Sequence, residues 1–177
     1  MENKNFTILV FTENHVGLLS RITLIFSRRH INIESITVSE SEIKGIHRFT
    51  IVINSDEHQV QKLVKQIEKQ VEVLKSFYHS DEDTIFQEIA LYKIAAKSLV
   101  VDDNLEALIR ANHARILNIS PEFIVIEKTG HEEETKALFD ELQPFGVLEF
   151  VRSGRVSITK AAKAFSAYME ELEEANA

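Results

Sequence analysis

The order in which hydrophobic periodicity changes along the chain limits its fold more than any other feature of the sequence. Residues 6–11 (FTILVF) form an almost wholly apolar run, the pattern of a central strand buried on both faces. Asn14 to Gly17 break that run. Leu18, Leu19, Ile22, Ile25 and Phe26 then recur at helical spacing along one stripe, with Leu24 off it. Residues 32–38 and 46–54 alternate around Ile36, Val38, Phe49, Ile51 and Ile53 and flank a turn containing Gly45, as the arms of a hairpin do. Val60, Leu63, Val64, Ile67 and Val71 mark a second helix with Ser55 and Asp56 as cap candidates, and VEVLKSFYH (71–79) reads as a closing strand. The order is β-α-β-β-α-β. In an open sheet it most economically gives four antiparallel strands with both helices on one face, the ferredoxin-like arrangement.

The same order then begins again. Residues 85–95 read as a strand, 102–112 as a helix, 115–120 and 123–129 as a hairpin turning near Pro121, 132–142 as a helix and 146–158 as an extended segment. The repeat period is about 80 residues, and the copies share the order of elements more than residue identities. The sequence therefore predicts an α+β fold of two tandem ferredoxin-like βαββαβ domains, residues 1–80 and 81–160, joined at the polar stretch SDEDT (80–84). An Ala- and Glu-rich stretch, 161–177, has the composition of a C-terminal helical tail.

Composition narrows the function classes. An apolar fraction of 44% with 27% charged residues fits a folded globular protein. The longest apolar runs fall well short of a membrane span and the N-terminus lacks the pattern of a signal peptide, so a cytoplasmic protein is expected. The absence of Cys excludes thiol catalysis and Cys-zinc sites. A formal net charge of −8, with Arg28-Arg29-His30 as the longest basic string, disfavours nucleic acid as a partner. The His residues fall in no HExxH or HxH arrangement and the Ser residues in no GxSxG context. No catalytic constellation and no metal site emerge.

One place in the chain has ligand-binding chemistry. Gly17 stands at a strand-to-helix turn, where a missing β-carbon permits close approach, and the first-turn amides from Gly17 to Leu19 suit an anion. The lack of further Gly or of a Lys in this loop, and the nearby Glu13, favour a carboxylate over a polyanion. Asn32, at the head of the next strand, carries an amide able both to donate to a carboxylate and to accept from an ammonium. With Val16, Ile31, Ile33 and Ile36 as apolar lining, the ligand this chemistry suits is an aliphatic amino acid. Two copies pairing through the edge of the second strand would place such pockets at their interface. A Gly at such a turn and an Asn at a strand start also serve as plain turn residues, so turn and ligand site both stand on the residues alone.

The stretch NHVGLLSRITLIFSRRHINIESITV resembles the opening of the small, regulatory subunits of acetolactate synthase (acetohydroxyacid synthase), whose first half is an ACT domain. It meets the family's N-x-x-G-x-L-S-R and F-S-x-R-x-x-N-I-E-S patterns at Asn14, Gly17, Leu19, Ser20, Arg21, Phe26, Ser27, Arg29, Asn32, Ile33, Glu34 and Ser35. QEIALYKI and VRSG are similar to motifs of the family's second domain. His30-Ile31 stands where family members commonly carry Gly-Tyr, and Val16 where they carry a small polar residue. The resemblance implies an N-terminal ACT domain, an ACT-like second domain, and a chain without catalytic residues or cofactors of its own. It implies that the chain activates a large catalytic subunit and confers feedback inhibition by valine in branched-chain amino-acid synthesis. Thiamine diphosphate, magnesium and flavin (FAD) would then belong to the large subunit. It also implies a homodimer or higher homo-oligomer through the ACT domain, with valine bound between two such domains by Asn14, Gly17, Leu18, Asn32 and Ile33. A stand-alone amino-acid sensor and a ligand-free oligomerisation module are the rival readings.

Overall fold

The computed structural model describes residues 3–96 and 104–161. Within them the chain runs β1 (Lys4–Glu13), α1 (Leu18–Arg28), β2 (Ser35–Glu40), β3 (Ile46–Ser55), α2 (Glu57–Ile67), β4 (Val73–Ser80), β5 (Thr84–Ala95), α3 (Asn104–Ala111), β6 (Arg115–Ile119), β7 (Phe123–Gly130), α4 (Glu132–Leu142), β8 (Val147–Arg152) and β9 (Val156–Thr159). The fold is α+β, with the βαββαβ order repeated and two antiparallel sheets. By contact the chain divides into two compact units, Met1–Ile85 together with the segment from Val156, and Phe86–Arg155. The expected helical tail, 161–177, lies outside the described residues apart from Ala161. So do the first residues of the helix expected from 102. No helix among the described residues is long and apolar enough to cross a membrane.

The first unit carries a sheet of order β2-β3-β1-β4. Ile8, Val10, Ile51 and Ile53 of its central strands pack against Leu18, Ile22, Ile25 and Phe26 of α1 and Val60, Leu63, Val64 and Ile67 of α2. As the unbroken apolar run foretold, β1 is buried on both faces, for Thr7, Leu9 and Phe11 are buried as well. Asp56 caps α2, its Oδ1 accepting from Gln59 N at 3.0 Å. Two stripe assignments fail. Leu19 is 47% exposed because it lies on the outer flank of α1, and Val71 is 95% exposed because α2 has already ended at Ile67.

In the second unit the path is β6-β7-β5-β8. Ala90, Tyr92, Ile94, Ile124 and Ile126 meet Leu105 and Ile109 of α3 and Leu138 and Leu142 of α4. The extended segment expected over 146–158 is two strands, because residues 153–155 leave the sheet. That break explains the VRSG motif. Ser153 N donates to Ile89 O at 2.8 Å and Ile89 N donates to Ser153 Oγ at 3.0 Å. Arg152 lies 3.2 Å from Glu88 and 3.0 Å from Glu132. The stretches QEIALYKI and VRSG thus meet in one interaction, a buried Glu88 paired with the arginine at the end of β8.

Burial pushes the Glu88 carboxyl above the ordinary glutamate range, against the opposing pull of Arg152 and Arg155. Its folded pKa therefore exceeds its unfolded one, and the folded chain holds the proton more tightly. The stability it contributes is full below the unfolded value and is lost as pH rises through the raised folded value. Glu88→Gln is expected to flatten that decline across the mildly acidic range. A series of urea melts at stepped pH checks this, and a parent-like slope in the variant would remove Glu88 as its source.

Both first helices stop in the same way. After α1, His30 adopts φ 54°, with His30 N donating to Ser27 O and Ile31 N to Phe26 O. After α3, His113 adopts φ 53°, with His113 N donating to Arg110 O and Ala114 N to Ile109 O. This is the Schellman arrangement, whose left-handed residue is usually Gly. His30→Gly and His113→Gly are each expected to raise stability by about 1 kcal/mol, since a left-handed residue with a β-carbon costs roughly 1–2 kcal/mol. Thermal melts of the two variants measure it.

Candidate functional site

β1 delivers the chain to the turn Asn14-His15-Val16-Gly17. Asn14 N donates to Gly45 O at 3.2 Å and Leu18 N donates back to His15 O at 3.3 Å. Closing that turn requires Gly17 at φ +83°, in the left-handed region, and a β-carbon placed there would meet nothing within 4 Å. Gly17 O accepts the first helical bond, from Arg21 N at 3.2 Å, and no side chain caps α1. The first turn holds no acidic residue. Of the amides assigned to an anion from the sequence, that of Leu18 is engaged by the turn itself. The amides of Leu19 and Ser20 also lie in the first turn of α1, where the helix offers them no acceptor. Leu18 is 2% exposed and anchors α1 in the core, so it can serve a ligand only through its backbone.

At the same end Arg21 lies 2.5 Å from Glu72, and Glu13 N donates to Glu72 O at 3.0 Å. Hydrogen bonding from the Arg21 guanidinium holds the Glu72 carboxyl below the usual glutamate value. These contacts fix the head of α1 against the approach to β4.

The remaining candidate residues follow the tail of α1. Past His30, Ile31 and Ile33 turn inward and pack against the core, as does Ile36. Asn32 and Glu34 turn outward and are exposed. Asn32 Nδ2 donates to Glu34 Oε1 at 3.2 Å, and Glu34 N donates to Val52 O at 2.9 Å just before β2 begins. The aliphatic residues read as lining from the sequence are thus mostly half-buried against the core. Val16 alone of that set stands clear, fully exposed beside Gly17.

One chain brings Asn14, Gly17 and Leu18 together and holds Asn32 and Ile33 apart from them. The eleven residues of α1 separate the two groups by about 16 Å. A free amino acid is only a few bond lengths across and cannot touch both.

The two edges of the first sheet differ. β2 is an edge strand, hydrogen-bonded to β3 alone in its sheet. On the β4 edge, Glu68 Oε1 accepts from Ser76 N at 3.3 Å and lies 3.8 Å from Lys75 Nζ, so a side chain occupies part of that border. Among the described residues no group of three His, Asp or Glu side chains could hold a metal ion.

Two family models match the sequence. One describes the AHAS small subunit-like ACT domain and covers residues 8–75; the other describes the small subunit of acetolactate synthase and covers residues 87–161. An acetolactate synthase small subunit of Mycobacterium bovis is 35% identical over 165 residues, spanning 92% of this chain and 96% of that protein. One from Bacillus subtilis is 33% identical over 151 residues, spanning 85% and 87%. The crystal structure of the Thermotoga maritima small subunit superposes with a TM-score of 0.81 at 28% identity, covering 90% of this chain and 99% of that one.

Proposed function

Because the chain belongs to the acetolactate synthase small-subunit family, we propose that it activates the large catalytic subunit and makes it sensitive to feedback inhibition by valine. The observation that carries the valine reading is the division of the site between the two ends of α1. α1 runs opposite to β1 and β2, so Gly17 and Asn32 lie at opposite ends of the sheet. Antiparallel pairing of two β2 edges about a two-fold axis sets the Gly17 end of one copy beside the Asn32 end of the other. Each dimer then has two equivalent sites. In each, the amides of Leu19 and Ser20 meet the effector's carboxylate, with Asn14 beside them and Asn32 and the backbone of Ile33 supplied by the second copy. Val16, exposed at the turn, offers an aliphatic contact.

Such a site can sense valine and transmit it in one step. A ligand shared by two copies binds best in one arrangement of the pair and shifts the assembly toward it. The condensation of pyruvate with a second 2-oxo acid, with its thiamine diphosphate, magnesium and flavin, falls to the large subunit. The direct test is reconstitution: the purified chain is added to the isolated large subunit and valine is titrated. Activation followed by valine-dependent inhibition is expected, and an unchanged large-subunit rate would remove the regulatory assignment.

Valine is also expected to stabilise the isolated chain, since a ligand that binds only the folded state adds about 2.7 kcal/mol at a hundredfold excess over its Kd. For a chain of this size that is a rise of roughly 5–10 °C in Tm. Alanine fills less of an aliphatic site and glutamate brings a second carboxylate, so neither should match it. Equal shifts for valine and glutamate would contradict an aliphatic pocket.

A further inference from the structure

We infer that Glu34 receives the ammonium group of the effector and makes the site read amino acids rather than 2-oxo acids; the inference rests on the valine-binding reading above. A zwitterion presents two charges. The helix-start amides of Leu19 and Ser20 answer the carboxylate, whereas Asn14 and Asn32 are neutral and leave the ammonium without a counter-charge. Glu34 fills that gap in the structure. Ile33 packs against the core, while Asn32 and Glu34 on either side of it are exposed. The Glu34 backbone is tied to Val52 O at 2.9 Å, which fixes where its side chain starts. Its carboxylate sits against the Asn32 amide, Nδ2 donating to Oε1 at 3.2 Å. That donation leaves Asn32 Oδ1 and the second Glu34 oxygen as adjacent acceptors for N–H groups. The ion pairs formed among the described residues do not involve Glu34.

The distinction matters for a regulator of this enzyme class. The large subunit works on 2-oxo acids, which share a carboxylate and a carbon skeleton with amino acids. Carboxylate and aliphatic contacts alone cannot separate valine from 3-methyl-2-oxobutanoate. A carboxylate placed for the ammonium attracts the one and repels the other.

The test measures binding of valine and of 3-methyl-2-oxobutanoate to the isolated full chain by calorimetry, in the parent and in Glu34→Gln, Glu34→Asp and Glu13→Gln. The parent is expected to prefer valine at least tenfold, as a charge-assisted hydrogen bond implies. E34Q should lose about tenfold in valine affinity while oxo-acid binding holds or improves, so the preference collapses. E34D should keep most of the preference. E13Q, which removes the carboxylate near the Gly17 end, should behave as the parent. A parent that binds both ligands equally would overturn the inference, as would an E34Q chain that keeps the parent's preference or an E13Q chain that loses it. If the parent binds valine and E34Q keeps its preference, only the role of Glu34 falls. If the parent binds no valine, the valine-binding reading falls first. Should E34Q fail to fold, the parent's own ratio and E34D still decide.

Discussion

Gly17→Asp is expected to abolish valine inhibition, raising the valine concentration required by a hundredfold or more, while activation of the large subunit persists. Two effects act together. At φ +83° any L side chain is strained, at a cost of roughly 1–2 kcal/mol. The space around that position is open, so no clash is added. A carboxylate at the head of α1 also interacts favourably with the helix dipole, which offsets part of the strain and keeps the chain folded. The same carboxylate takes the place proposed for the effector's own and repels it. Gly17→Ala separates the contributions, because it carries the strain without the charge and should shift valine sensitivity far less. Valine titration of the reconstituted holoenzyme reads both variants. An inhibition curve for G17D that overlays the parent's would show that this turn does not receive the effector.

The division of the site between two copies makes a second prediction with an all-or-none signature. Asn32→Ala should weaken valine inhibition in the same sense as G17D, more mildly. Mixed with G17D chains under conditions that allow subunit exchange, N32A chains should create intact, fully sensitive sites that neither variant has alone. In a mixed dimer one site collects both substitutions and the other collects neither. With random pairing about a quarter of all sites regain their full set of residues. If instead one chain supplied the whole site, mixing would leave every site defective. The readout is valine binding or inhibition of the mixture against each variant separately. The absence of any gain would place both residues in one copy's pocket and remove the shared site.

Local structure was legible one residue at a time. Gly17 announced a strand-to-helix turn, and the structure closes that turn with it at φ +83°. The run FTILVF announced a strand buried twice over, and Asp56 announced its cap. Where reading failed, it failed for want of a third dimension. Leu19 and Val71 match a helical stripe in one dimension, yet the first lies on the flank of α1 and the second beyond the end of α2. Ile31 and Ile33 looked like ligand lining because they border Asn32, and the fold packs both, half-buried, against the core. His30 and His113 gave no sign of their conformation, since backbone angles at a helix end are set by hydrogen bonds to the preceding turn.

The sequence by itself determined the repeated βαββαβ order and the family, because periodicity and motif residues are local properties. Tertiary structure decided which of these residues can act together. Gly17 and Asn32 are fifteen positions apart in the sequence, and that spacing is silent on their separation in space. The rigid rise of α1 puts about 16 Å between the two halves of the site. Only the inward packing of Ile33 and the bond from Asn32 likewise set the Glu34 carboxylate on the outer side.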